Sequence, residues 1–106
     1  MIKVSILYPR SPGVRFDFDY YLRKHMPMAI GFLSAHPGYR GVSVERGVGG
    51  AGPGTDATYV AMCHFLFDKA ESFMEAFGPN AATLQADIPV YTDAVPLVQL
   101  SEMLDL

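Results

Sequence analysis

Three observations in the sequence predict one α+β domain of order β-α-β-β-α-β over residues 1–106. Apolar side chains recur with period two in four runs and with the 3.6-residue period of a helix in two others. At 106 residues, 50% apolar and 18% charged, the chain has the size and balance of a single folded domain and not of a disordered tail. A chain this short buries only roughly 65% of the surface it exposes when unfolded. Its apolar share and mean hydropathy of +0.17 therefore predict an oily surface that something else covers.

Ile2, Val4, Ile6 and Tyr8 alternate with Lys3, Ser5 and Leu7 until the Pro/Gly-containing segment 9–13 ends the first strand. From Phe16 the period changes. Phe18, Tyr21, Leu22 and His25 fall at i, i+3, i+4 and i+7, with Asp17 and Asp19 where a helix N-terminus favours carboxylates. Pro27 predicts a break or kink at residues 25–27 before residues 28–33 carry on. Beyond the loop at 36–38, Val42, Val44, Arg46 and Val48 form a second strand whose other face, Ser43 and Glu45, is polar, as at a sheet edge. Residues 47–56, GVGGAGPGTD, lack the Lys-Ser/Thr ending and following helix of a phosphate loop, and predict a flexible hairpin connection.

Residues 58–67 make the third strand, with Val60, Met62 and Leu66 on one face and Tyr59, Ala61, Phe65 and Phe67 on the other, so that both are apolar. Asp68 and Glu71 have capping-box spacing and open a helix with the core stripe Ala70, Phe73, Met74 and Phe77, which Gly78-Pro79 ends. Asn80 caps a further turn or two at 81–85, and residues 94–104, apolar on both faces, supply the fourth strand. This order is the ferredoxin-like split βαβ arrangement, a four-stranded antiparallel sheet with both helices on one face. Because the third and fourth strands are apolar on the second face too, a homodimer packed sheet against sheet is expected.

Eight Lys+Arg against eleven Asp+Glu give a net charge of −3 with no basic cluster, which argues against a nucleic-acid partner. No run approaches the ~18 apolar residues of a membrane span, and the opening stretch is too short for a secretory signal, so a cytoplasmic location is expected and no membrane partner. The one cysteine, Cys63, suits a reducing compartment. Cys63 and His64 are adjacent on a strand and point to opposite faces, and no metal or organic cofactor is expected.

The opening IKVSILYPRSPGVRFDFDYYLRKHMPMA, with a Y-x-x-x-H-x-P segment at Tyr21, His25 and Pro27, resembles the EthD family of dimeric α+β-barrel proteins, as does the late D-I-P-V-Y-T-D-x-x-P-x-x-Q-x-S-E. The resemblance runs nearly end to end. It implies the ferredoxin-like dimer reached above and kinship with muconolactone isomerases and cofactor-free quinone-forming monooxygenases. It also implies a part in the degradation of small organic molecules: the family takes its name from ethyl tert-butyl ether breakdown, where it accompanies an oxygenase system. One fold hosts many chemistries, so a reaction has to be argued from the site.

His25 lies four residues after Tyr21 on a helix face that points toward the sheet. It is the candidate general base, with Tyr21 as hydrogen-bond donor to a developing oxyanion; the competing reading is a helix-end histidine that caps carbonyls near Pro27. His64 stands among aliphatic residues, where desolvation favours a neutral base, and is either a second catalytic group bordering the same pocket or a satisfied structural histidine. Phe18, Leu22, Met62 and Tyr91 are the candidate substrate contacts. Asp87, Tyr91, Thr92 and Asp93 invite an acid–base role, but D-I-P-V-Y-T-D is also good turn chemistry. His36, next to Pro37-Gly38, reads as a loop residue. The expected function is action on a small, largely apolar organic compound by cofactor-independent oxidoreductase or isomerase chemistry; the alternative is a non-catalytic binding or accessory protein for an oxygenase system.

Overall fold

A computed structural model describes residues 1–106. The strands are β1 (Ile2–Pro9), β2 (Tyr39–Arg46), β3 (Tyr59–Phe67) and β4 (Leu97–Glu102). Between β1 and β2 run α1 (Phe18–Tyr20), a π-helical segment (Tyr21–His25) and α2 (Met26–Ser34); between β3 and β4 run α3 (Ala70–Phe77), a 3-10 turn (Gly78–Asn80) and α4 (Ala81–Tyr91). All strand pairs are antiparallel and the sheet order is β2-β3-β1-β4. That is the ferredoxin-like α+β fold, with β2 at an edge as its polar face predicts. No helix is long and apolar enough to cross a membrane.

The core lies on the helix side of the sheet. Val4 and Tyr8 of β1 and Cys63, Phe65 and Phe67 of β3 are buried there with Met26, Ala29, Leu33, Phe73, Ala76 and Leu84. The register Val4↔Phe65, Ile6↔Cys63 and Tyr8↔Ala61 aligns the inward side chains of the two central strands.

Several local expectations are corrected. Pro27 does not break the helix: the preceding turn widens, with the Met26 N–H bonded to the Tyr21 carbonyl five residues back. A proline ring crowds the carbonyl four residues before it, here that of Arg23, and a π-turn relieves the clash while keeping the helix continuous. Residues 87–91 are not a turn but the end of α4, with Pro89 inside it. Pro89 sits in the last turn, so the only donor it removes is one that would have served the carbonyl of exposed Gln85. The Asp68–Glu71 capping box is also absent: Lys69 is the N-cap residue without a side-chain bond, and Asp68 accepts instead from Ser72 Oγ. Met74 is 59% exposed and lies outside the core.

The second sheet face is less apolar than the strand pattern predicts. Leu7, Met62, Leu66 and Leu97 lie on it, but the register also brings Ser5, Ser43, His64 and Gln99 together at its centre. Ser5 Oγ and His64 Nδ1 share a hydrogen bond of 2.7 Å, and Glu45 Oε1 lies 3.5 Å from His64 Nε2. β4 is therefore polar on this face at Gln99 and Ser101, contrary to the expectation of two greasy faces.

Candidate functional site

Between helices and sheet lies a cavity of about 350 Å³ that opens to the surface beside Val98 of β4. Its floor is sheet: Ile6 and Tyr8 of β1, Cys63 and Phe65 of β3 and Val98 of β4. Its roof is helical, from Tyr21 and His25 through Met26, Ala29 and Leu33 to Phe73, Leu84 and Ile88. Thirteen of the sixteen lining residues are hydrophobic, which leaves a few polar atoms to orient whatever enters.

Those atoms are placed by the π-helical segment. It turns both Tyr21 and His25 inward, to 0% and 6% exposure, and stacks their rings at 5.8 Å. On the opposite wall α4 carries Asp87, whose Oδ2 accepts from His25 Nδ1 at 2.9 Å and whose Oδ1 accepts from the Tyr20 hydroxyl at 2.7 Å. A carboxylate only accepts, so Nδ1 of His25 holds the proton and Nε2, with no protein partner, presents its lone pair. Tyr91 closes the back of the imidazole at 4.6 Å and shares a 2.6 Å hydrogen bond with Tyr8.

The alignment of α4 with the π-helical segment depends on a polar seam at its C-terminus. The Arg15 guanidinium donates to the carbonyls of Pro89 (2.8 Å) and Val90 (3.2 Å), its N–H donates to Asp93, and Thr92 Oγ1 donates to the Arg15 carbonyl. The Asp17 N–H donates to the Tyr91 carbonyl at 2.7 Å, and the Asp17 carboxylate caps the Tyr20 N–H. Thr92 and Asp93 thus do the turn work predicted for the whole segment, while Asp87 and Tyr91 belong to the site.

Burial sets the protonation states. It pushes His25 below the ordinary imidazole value, with the Asp87 hydrogen bond and charge opposing it. It raises the Cys63 thiol to about 12 and the Tyr8 hydroxyl to about 12, and raises Tyr21 and Tyr91 as well. Near neutral pH the imidazole is a neutral base, and every hydroxyl and thiol around it keeps its proton. The buried Tyr21 hydroxyl lies beside the Cys63 thiol and the Tyr8 hydroxyl but makes no hydrogen bond of good geometry with either. Such an atom costs about 1–3 kcal/mol unless a ligand satisfies it.

Of the candidate residues, the cavity brings together His25 and Tyr21, with Tyr91 behind them. His64 does not join them: strand alternation puts it on the far face of the sheet with Ser5 and Glu45. Met62 is on that same far face. Leu22 is 50% exposed and does not line the cavity. Phe18 borders a separate, polar hollow with Arg10 and Asp56, under the Arg46 guanidinium at 4.3 Å from its ring. His36 holds its loop, accepting from the Gly38 N–H and donating to Glu75. Tyr20 and Cys63 were not among the candidates. Tyr20 lacks any signal beyond the doubled tyrosine, and Cys63 shares its face with Phe65.

Residues 14–94 match the EthD domain family. Among solved structures, an EthD-like protein from Ralstonia eutropha JMP134 is 40% identical, with 95% of this chain and 89% of that one covered and a TM-score of 0.89. An ethyl tert-butyl ether degradation (EthD) family protein from Bacillus halodurans C-125 is 24% identical over 98% of this chain and 99% of that one, with a TM-score of 0.69. SnoaB, a cofactor-independent oxygenase from Streptomyces nogalater, shares the fold at 14% identity over 99% and 94% of the chains, with a TM-score of 0.62. No curated protein matches the sequence.

Proposed function

The chain belongs to the EthD family, and from that premise we propose that it is a cofactor-independent enzyme acting on a small, largely apolar organic compound, with His25 as general base. The observation that carries this reading is that one apolar cavity is lined by both His25, whose Nε2 has no protein partner, and Tyr21, whose covered hydroxyl has none either. His25 Nε2 takes a proton from an acidic C–H or O–H of the substrate. The electron pair of that bond moves onto the substrate oxygen, where the Tyr21 hydroxyl donates to the developing negative charge. Asp87 stabilises the imidazolium through Nδ1–H, and Tyr20 holds the carboxylate in place. Return of the proton to a different carbon gives isomerase chemistry; reaction of the carbanion with dioxygen gives oxidoreductase chemistry. Phe18, Leu22, Met62 and His64 have no part in this mechanism, and Tyr91 acts by packing the imidazole. The reading includes a homodimer joined through the open sheet face, because Leu7, Met62, Leu66 and Leu97 leave an apolar frame there.

The test is proton exchange into an enolisable two-ring ketone. An engineered apolar cavity of about 150 Å³ takes up benzene, so one of about 350 Å³ suits 2-tetralone. In D2O, followed by NMR, the protein is expected to accelerate deuterium entry next to the carbonyl. His25→Gln is expected to slow it by about a hundredfold or more while affinity is retained. Binding by the unmodified protein without exchange identifies a non-catalytic binding or accessory protein instead.

A further inference from the structure

We propose that the cavity selects neutral compounds bearing one hydroxyl or enolisable carbonyl oxygen on an otherwise apolar ring system, and rejects carboxylates and phosphates of the same size. This rests on the general-base reading above and adds charge as the criterion of selection.

No lysine or arginine lines the cavity. The charge nearest its polar end is the Asp87 carboxylate directly behind His25, and the partners of that carboxylate are two neutral donors, the Tyr20 hydroxyl and the imidazole N–H. The polar end thus carries uncompensated negative charge. An anionic ligand would exchange water for apolar walls and face Asp87 with no cation to receive it.

A neutral hydroxyl meets the opposite situation. It donates to His25 Nε2, and a small displacement of the Tyr21 ring, whose hydroxyl is covered and unpaired in the free chain, lets it accept from that hydroxyl as well. A ketone accepts from Tyr21 and sets its adjacent C–H toward the same nitrogen. When that proton moves to Nε2, the imidazolium stands between Asp87 and the new oxyanion, and the total charge of the cavity is unchanged. Negative charge is tolerated only when its proton stays in the cavity. A charge that arrives with the ligand brings no such partner.

The experiment titrates the full chain with naphthalene, 2-naphthol and 2-naphthoate at neutral pH, read by ligand fluorescence in a protein that contains no tryptophan. Expected is 2-naphthol tighter than naphthalene by about tenfold, and 2-naphthoate weaker than naphthalene. Tyr21→Phe is expected to bring 2-naphthol to the naphthalene level without changing naphthalene itself, which also reports an intact cavity. Asp87→Asn is expected to recover binding of 2-naphthoate. The proposal is overturned by 2-naphthoate binding as tightly as 2-naphthol, by Tyr21→Phe weakening 2-naphthol and naphthalene alike, or by none of the three binding. Absence of isotope exchange with the predicted binding order intact overturns the general-base reading alone.

Discussion

At the scale of single residues, His25 couples the site to the stability of the chain. An imidazole in the unfolded chain titrates near ~6.5, and burial holds the folded group lower. Between those two values the unfolded state binds a proton that the folded state refuses, so stability rises with pH there. The contribution is complete above the unfolded value, is lost as pH falls toward the folded one, and changes no further below it. Urea midpoints measured across this range are expected to drop on acidification in the native chain, and His25→Gln is expected to flatten that part of the profile; a slope unchanged by the substitution would falsify the assignment. His25 and Tyr21 were legible in sequence because they share a helix, where spacing alone aligns them. Asp87 was legible as an acid–base candidate but not as the partner of His25, since that contact spans 62 residues and depends on the path of a helix that Pro89 disguises as a turn.

At the scale of elements, the π-helical segment decides which side chains face the cavity. The heptad-like pattern of Phe18, Tyr21, Leu22 and His25 implies one common face, and an ordinary α-helix would have delivered it. In the structure Tyr21 and His25 at the two ends of the widened turn face inward, Leu22 is half exposed and Phe18 borders another hollow. A proline predicts that a helix is disturbed; it does not tell whether the answer is a kink, a stop or an added residue in the turn. Deletion of exposed Lys24 restores regular winding and rotates Tyr20 and Tyr21 by about 100° relative to α2. The shortened protein is expected to keep its far-UV circular dichroism but lose proton exchange with 2-tetralone. Retained exchange would show that the extra residue has no functional part.

For the whole molecule, the order and pairing of the strands follow from their periodicities, and the edge position of β2 follows from its polar face. The composition of the open sheet face was less legible, because alternation tells which residues share a side but not how a cross-strand histidine, serine and glutamate gather at its centre. The apolar frame around that centre leads us to expect a solution mass near twice 11.6 kDa at micromolar concentration. Leu66→Lys is expected to shift the mass toward one chain in light scattering; a single-chain mass for the unmodified protein would sink the dimer.

His25, Asp87 and the Tyr21 hydroxyl come from two short helical stretches, while the sheet beneath supplies chiefly wall. The roof is not separable from the fold: Met26, Ala29, Leu33, Phe73 and Leu84 line the cavity and are also part of the buried core. Any substitution that reshapes the cavity there also costs stability. Only the few polar groups at its end, Asp87 and His25 foremost, are free to change what the cavity recognises at small cost to packing.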